Sequence, residues 1–263
     1  MVDISAIRAP LFVPANRPER FEKAAASGTD AVILDLEDAV AADAKDAARQ
    51  ALRKDFTDLP VIVRINAIGT PPHAADLQAI AALRPAAVIL PKAEDAVSVQ
   101  HVAEAAGVPV IALIESAHGL ANSRQIAATP GVVRLAFGSI DFCADLGCNH
   151  LRDVLLPARF ELVLASRLAG IAAPIDGVTA QLDDPEVTRD DAAHARALGM
   201  TGKLCIHPKQ IPEVMRAFAP SAAEIDWARR VVASGDGAVS VDGAMVDEPV
   251  RIRARAILAQ VRE

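Results

Sequence analysis

The sequence predicts a (β/α)8 barrel of the TIM-barrel class, followed by a C-terminal extension. Three observations carry that prediction. Eight short apolar runs rich in Val, Ile and Leu recur along the chain, and each is followed by an Ala-rich amphipathic stretch. The apolar runs are continuous rather than alternating, the pattern of strands covered on both faces. The 263 residues fit one barrel of ordinary size. Parallel strands need crossover connections, and eight such units close into a ring. An open doubly wound sheet is the alternative, but no GxGxxG follows the first run, so nothing marks a dinucleotide site.

The apolar runs place strands over 10–14, 31–36, 61–65, 87–90, 108–114, 133–137, 175–179 and 203–206. Helices are expected over 18–27, 43–56, 74–83, 95–106, 123–128, 157–169, 184–198 and 209–218. Pro18 beside Glu19 and Pro185 beside Glu186 mark first turns, where proline and acid are both favoured. Gly28, Gly107 and Gly199 stand where helices should stop. The barrel is assigned to 1–219 and the extension to 220–263. In the extension, Ser221 followed by Glu224 opens a helix over 221–234 with a capping box. SGDGAVSVDGAMVDEP then reads as a Gly-rich turn with two short extended pieces, and a last helix covers 249–261. So short a segment is expected to be an appendage without a core of its own.

Composition narrows the function. A formal charge of −7 argues against partners that are nucleic acids or anionic membranes, because both require a phosphate-neutralising basic surface. The absence of Tyr removes phenolic acid–base chemistry, and seven Phe with one Trp leave little for base stacking. MVDISAIRAP lacks the apolar core of a signal peptide, and no apolar run nears the roughly 18–20 residues that span a bilayer. The expectation is a soluble, cytoplasmic protein. Cys143, Cys148 and Cys205 are odd in number and form no CxxC, so they read as small buried hydrophobes.

In such a barrel, chemistry collects where strands end. Strand one ends in Asn16 and Arg17, and strand two in Asp35, Glu37 and Asp38. Strand three carries Arg64 and Asn66, and strand four ends in Lys92. The last four end in Glu115, Asp141, Asp176 and His207, and the opposite ends show little comparable charge. Glu115 and Asp141 follow neighbouring strands; two carboxylates completed by water and substrate oxygens are an ordinary magnesium site, although acids there also cap helices. Arg64 facing the interior must meet an anion, either Asp35 or Glu37 or a substrate carboxylate that its planar fork would clamp. Lys92 reads as a binder of acid or phosphate, with a Schiff-base lysine the alternative. His207 before Pro208 is a base or a structural residue. The remaining histidines show no zinc spacing, and Ser116 and Ser139 lack a GxSxG elbow.

These residues stand in LFVPANRPERFEKAAASGTDAVILDLEDAV, VIVRINA, VILPKAE, ALIESAHGL, LAFGSIDFCADLG, GKLCIHPKQI and GAMVDEPV. In that order the stretches resemble the citrate lyase β-subunit-like branch of the HpcH/HpaI aldolase superfamily, which includes malyl-CoA, citramalyl-CoA and citryl-CoA lyases. The resemblance runs from Leu11 to Val250. It implies a (β/α)8 fold, Mg²⁺ held at Glu115 and Asp141, and a substrate carboxylate clamped by Arg64. The Glu115 position also borders that substrate, and Glu37 and Asp38 line the same pocket. In the branch acting on free hydroxy-keto acids a histidine base follows the acid of strand two; Asp38 occupies that place here, which implies the CoA-ester branch. The resemblance makes the C-terminal segment a lid over a neighbouring subunit, with Asp247 its acid–base residue and Asp242 the weaker candidate. A shared site of that kind implies a homo-oligomer, a trimer or a multiple of it. CoA phosphates are expected near Arg17 and Arg20. The implied activity is cleavage or formation of a 3-hydroxyacyl-CoA from acetyl-CoA and a 2-keto acid. A malyl-CoA-type thioesterase and a subunit acting on a carrier-bound acyl group are the alternatives.

Overall fold

A computed structural model describes residues 3–260 of the chain. Its centre is an eight-stranded sheet in sequence order: β1 (Leu11–Pro14), β2 (Val32–Asp35), β3 (Val61–Arg64), β4 (Ala87–Leu90), β5 (Val110–Ile114), β6 (Val132–Phe137), β7 (Ala172–Asp176) and β8 (Gly202–Lys203). Every neighbouring pair is parallel. Lys203 N–H donates to the Arg8 carbonyl at 2.8 Å, Cys205 N–H to Pro10 at 2.9 Å, and Phe12 N–H to Cys205 at 2.9 Å. These bonds bring the last strand back to the first, so the ring closes and no edge is left to pair elsewhere.

Between the strands run α1 (Phe21–Ala25), α2 (Lys45–Gln50), α3 (His73–Leu83), α4 (Ala96–Ala106), α5 (Ala117–Ala121), α6 (Ser123–Ala127), α7 (Ser139–Leu146), α8 (Arg152–Ala169) and α9 (Pro185–Ala197). α10 (Ile211–Phe218) follows β8. Alternate strand residues fill the barrel interior. Ile33, Ile62, Ile89, Ile111, Leu113, Ala136, Ile175 and Leu204 form one buried cluster.

Several elements depart from the sequence reading. β7 lies at Ala172–Asp176 rather than 175–179, because Ala172 pairs with Arg134 despite its weak strand preference. α8 begins five residues before Pro157, which sits inside it. The apolar stripe continues back through buried Leu155, so packing outweighs the lost backbone donor. The expected helix over 43–56 ends at Gln50 after a 3₁₀ turn. β6 stops at Phe137, so Asp141 lies in the first turn of α7 and not at a strand end. The opposite barrel end is not charge-free either. Fully buried Arg134 donates there to the carbonyls of Ile4, Ile7 and Ala173, and burial lowers its pKa to about 10.

The chain divides into two compact units between Arg216 and Ala217. The second contains α11 (Ala222–Ala233), β9 (Val239–Val241), β10 (Ala244–Val246) and α12 (Glu248–Leu258). The Ser221–Glu224 capping box forms as expected. Contrary to the appendage expectation, this unit has its own apolar core: Ala228, Val231, Val246, Ala254 and Ile257, with Trp227 packed against them. A small core suffices because an antiparallel hairpin and two helices bury one face each. The expected last helix reached Val261, which lies outside the described residues. Among the described residues no helix is long and apolar enough to cross a membrane.

Candidate active site

Strand periodicity assembles the site. Residues two apart share a face, so the interior series Ile33–Asp35, Ile62–Arg64 and Ile111–Leu113–Glu115 carry their charges to the C-terminal mouth of the barrel. Asp35 and Arg64 are register partners on β2 and β3. Arg64 Nε and Nη2 therefore meet Asp35 Oδ1 and Oδ2 at 2.7 Å each, a two-pronged pair. The other edge of the guanidinium, Nη1, lies 2.9 Å from Glu37 Oε2 and 3.7 Å from Asp38 Oδ2. Glu37 Oε2 is buried without a hydrogen-bond partner despite that proximity. Arg64 also stacks 4.9 Å from the Phe12 ring. Asp35 further accepts from Glu37 N–H at 2.9 Å, and Lys45 Nζ donates to the Leu36 and Glu37 carbonyls, so the loop after β2 is tied down.

Glu115 is 3 % exposed. Its Oε1 accepts from Lys92 N–H at 2.8 Å, an interaction made possible by the left-handed backbone of Lys92 at φ 48°. That conformation costs a non-glycine residue about 1 kcal/mol, which the fixed carboxylate offsets. Lys92 Nζ lies 3.3 Å from Glu37 Oε1. Opposite Glu115, where β6 ends, stands Gly138. A Cβ there would overlap the Glu115 carboxylate, so only glycine leaves room for it.

A cavity of about 390 Å³ opens at this mouth. Arg64, Glu115, Asp141, Asp35, Asp38, Phe12 and Ser139 are in its wall. Of the residues expected in the site, Glu37 and Lys92 reach it through their ion pairs with Arg64 and each other rather than lining it. Exposed Arg17 pairs with Glu19 at 2.6 Å, and Arg20 lies 3.9 Å from the same carboxylate. Asp176 is occupied elsewhere: wholly buried, it takes Arg159 at 2.8 Å and Lys203 at 2.9 Å. His207 caps the turn before α10, its Nδ1 accepting from Lys209 N–H at 3.1 Å. In the second unit Asp247 is the N-cap of α12 and Asp242 pairs with Arg230 at 2.8 Å.

Sequence reasoning did not single out Phe12, Lys45 or Gly138 as parts of the site. Gly138 alone had a visible signal, a glycine directly after a strongly apolar strand and before a helix.

Electrostatics suit the mouth to a cation. Asp35, Glu37 and Asp38 gather around Arg64, Glu37 also meets Lys92, and Glu115 and Asp141 add two more carboxylates to the same mouth. Burial, then Glu37, then Asp141 push the Glu115 carboxyl up to about 8. Glu37 is also held above the usual carboxylate range, chiefly by burial. Among the described residues no three Asp, Glu, His or Cys side chains converge as a complete metal cage. Glu115 and half-buried Asp141 stand in the cavity wall together with Asp35, which Arg64 engages, and Asp38. Magnesium fits such a pair, because it keeps most of its waters and needs only one or two carboxylates.

Comparison with known proteins places this geometry. The family model for HpcH/HpaI aldolase/citrate lyase matches residues 8–208. The citrate lyase subunit beta-like protein of Mycobacterium tuberculosis is 43 % identical over 264 residues, covering 96 % of this chain and 95 % of its own. A (3S)-malyl-CoA thioesterase of Cereibacter sphaeroides is 35 % identical over 268 residues, covering 96 % and 94 %. The crystal structure of CitE from M. tuberculosis in complex with magnesium, acetoacetate and coenzyme A superposes with a TM-score of 0.88 at 42 % identity, covering 98 % of this chain and 99 % of that one. A closed parallel barrel with a carboxylate-rich mouth and matches along nearly its whole length thus agree: the chain belongs to the HpcH/HpaI aldolase/citrate lyase family.

Proposed function

We propose that the barrel mouth is the active site of a magnesium-dependent carbon–carbon lyase. It would cleave, or form, a 3-hydroxyacyl-CoA such as malyl-, citramalyl- or citryl-CoA, with acetyl-CoA and a 2-keto acid as the other side of the reaction. The observation that carries the reading is the buried Glu115 carboxylate, fixed by Lys92 N–H and facing the same cavity as Asp141 and Arg64. A relative that binds magnesium, acetoacetate and coenzyme A supports it.

Glu115 and Asp141 would hold Mg²⁺, which when bound supplies positive charge beside the substrate's hydroxyl and carboxylate oxygens. Arg64 orients the substrate. Asp35 already fixes two of its N–H groups, so the Nη1 edge, in contact with Glu37 but not hydrogen-bonded to it, is the one offered to a substrate carboxylate. Asp35 thereby positions the clamp rather than competing for it. Glu37, whose pKa burial holds above the usual carboxylate range, would take up the hydroxyl proton with Asp38 beside it. As the bond between the hydroxyl-bearing carbon and the carbon α to the thioester breaks, its electrons pass to the acetyl-CoA enolate. Asp247 of a neighbouring copy would then protonate that enolate carbon. This requires a homo-oligomer, with a trimer or a multiple of it the expected form. Arg17 and Arg20, exposed at the start of the first loop after β1, are the cations offered to CoA phosphates.

The test is keto-acid release from the three esters with Mg²⁺, repeated in EDTA and with Glu115→Gln. Release that both changes abolish supports the reading, and release indifferent to both refutes it.

A further inference from the structure

We infer that Ser139 and His150 form a nucleophile–base pair in the barrel mouth that hydrolyses the CoA thioester through an acyl-serine. The inference rests on the proposed entry of a CoA thioester into that cavity, and it adds an activity to the same site. His150 Nε2 lies 2.9 Å from Ser139 Oγ, the separation of a base poised on a hydroxyl nucleophile. Ser139 lines the mouth cavity with Glu115 and Asp141.

The local architecture matches what a serine nucleophile needs. β6 runs into Gly138, and Ser139 is the first residue of the eight-residue helix α7. Like a hydrolase nucleophile, Ser139 follows a strand and opens a helix, but it stands there as the first helical residue without the strained backbone of a nucleophile elbow. Glycines crowd it from two sides. A Cβ at Gly177 would overlap Ser139 Oγ and lie 2.8 Å from its Cβ, while Gly138 makes the room for Glu115. The serine is 1 % exposed to solvent, so its hydroxyl is fixed rather than free to rotate into water. The N-cap of α7 is Gly138, which has no side chain to cover the first-turn N–H groups. Nothing in the sequence announces the pair: Phe137 and Asp141 stand where GxSxG has its two glycines, and His150 lies in the loop before α8.

His150 is suited to accept a proton. Burial and the nearby Arg159 guanidinium hold its pKa below the usual histidine value, which favours the neutral ring over the imidazolium. His150 also faces a second cavity of about 340 Å³, with Arg152, Arg159 and Thr179 in its wall.

The step balances without another reactant than water. Ser139 Oγ attacks the thioester carbonyl carbon as its proton passes to His150 Nε2. The C–S bond breaks, and the thiolate takes the proton from His150, leaving as free CoA. Water then attacks the acyl-serine carbonyl, giving its proton to His150. The ester C–O bond breaks, the proton returns to Ser139, and the free acid departs.

Two readouts test this, one of them independent of CoA. A fluorophosphonate probe should label the wild-type protein at Ser139, located by peptide mass, and labelling should disappear in Ser139→Ala and slow about 10²-fold or more in His150→Gln. With malyl-, citramalyl- and citryl-CoA, free thiol and keto acid are recorded in parallel. The ratio of thiol to keto acid should fall about 10²-fold or more in Ser139→Ala. His150→Gln, at an exposed loop position, should lower thiol release similarly without relying on a change inside the packed mouth. Absence of labelling at Ser139, of any wild-type thiol release, or of an effect of either substitution on it would overturn the proposal. Absence of keto acid alone would instead overturn the lyase reading, so the two failures are distinguishable.

Discussion

Replacing Gly138 by alanine isolates the placement of one carboxylate. The backbone there has φ −87° and ψ 68°, so alanine meets no left-handed penalty. The new methyl would overlap Glu115 Oε2 and Cβ and lie 3.1 Å from its Cδ. Since Glu115 is buried, it can yield only by rotating away from the 2.8 Å bond with Lys92 N–H. Overpacking of this kind destabilises by about 1–3 kcal/mol. For a chain of this size that corresponds to a Tm loss of roughly 2–10 °C. A carboxylate moved by an ångström should lower kcat/KM for keto-acid release about 10²-fold. Mg²⁺ affinity by calorimetry should weaken at least about tenfold. Gly107→Ala is the control: its φ of 62° strains alanine, nothing lies within 4 Å of the new methyl, and it lines a cavity with Asp3, Ile4 and Arg84 rather than the mouth. It should lower stability by about 1 kcal/mol and leave Mg²⁺ affinity alone. If Gly138→Ala binds Mg²⁺ and turns over like wild type, Glu115 is not held where the account requires.

Four further outcomes follow. With Glu115 at about 8, Mg²⁺ must displace a proton, so apparent affinity should rise about tenfold per pH unit from pH 6 and level off above 8; pH-independent affinity would exclude Glu115 as a ligand. Because that folded-state pKa lies above the unfolded value of about 4.3, the contribution to metal-free stability is present below pH 4.3 and lost as pH rises through 8. Glu115→Gln should abolish this slope in EDTA, as thermal melts of the two proteins will show. Arg64→Ala leaves buried Asp35 without its guanidinium and Glu37 with Lys92 in place of Arg64, so urea unfolding should show a loss of about 3–5 kcal/mol; a loss under 1 kcal/mol would mean the acids are neutral there. Mixing Glu115→Gln with Asp247→Ala, each inactive alone, should restore roughly a quarter of wild-type activity if sites are shared between copies, and no recovery would remove Asp247 from the chemistry.

The strand order and the mouth residues were legible because parallel strands repeat one signal and strand periodicity is rigid. Once Ile111 and Leu113 face inward, Glu115 must follow. What the sequence could not show depended on partners distant in the chain. Arg64 could be read as a clamp or as a salt bridge, and the structure makes the Asp35 pair with one edge while leaving the other toward Glu37. His207 could be read as a base or as a structural residue, and its turn uses it as a cap. Asp176 resembled a mouth residue until Arg159, from a helix whose start Pro157 disguised, reached it from behind. The left-handed Lys92 and the glycine facing Glu115 are consequences of close packing that no periodicity reports.

The most direct measurement is a carbon and sulfur balance on malyl-, citramalyl- and citryl-CoA with purified protein and Mg²⁺. Keto acid, acetyl-CoA and free CoA are quantified in the same samples. The account predicts that one ester yields keto acid and acetyl-CoA in equal amounts, and that EDTA stops both. Free CoA without keto acid from every ester, or turnover unchanged by EDTA, would contradict it.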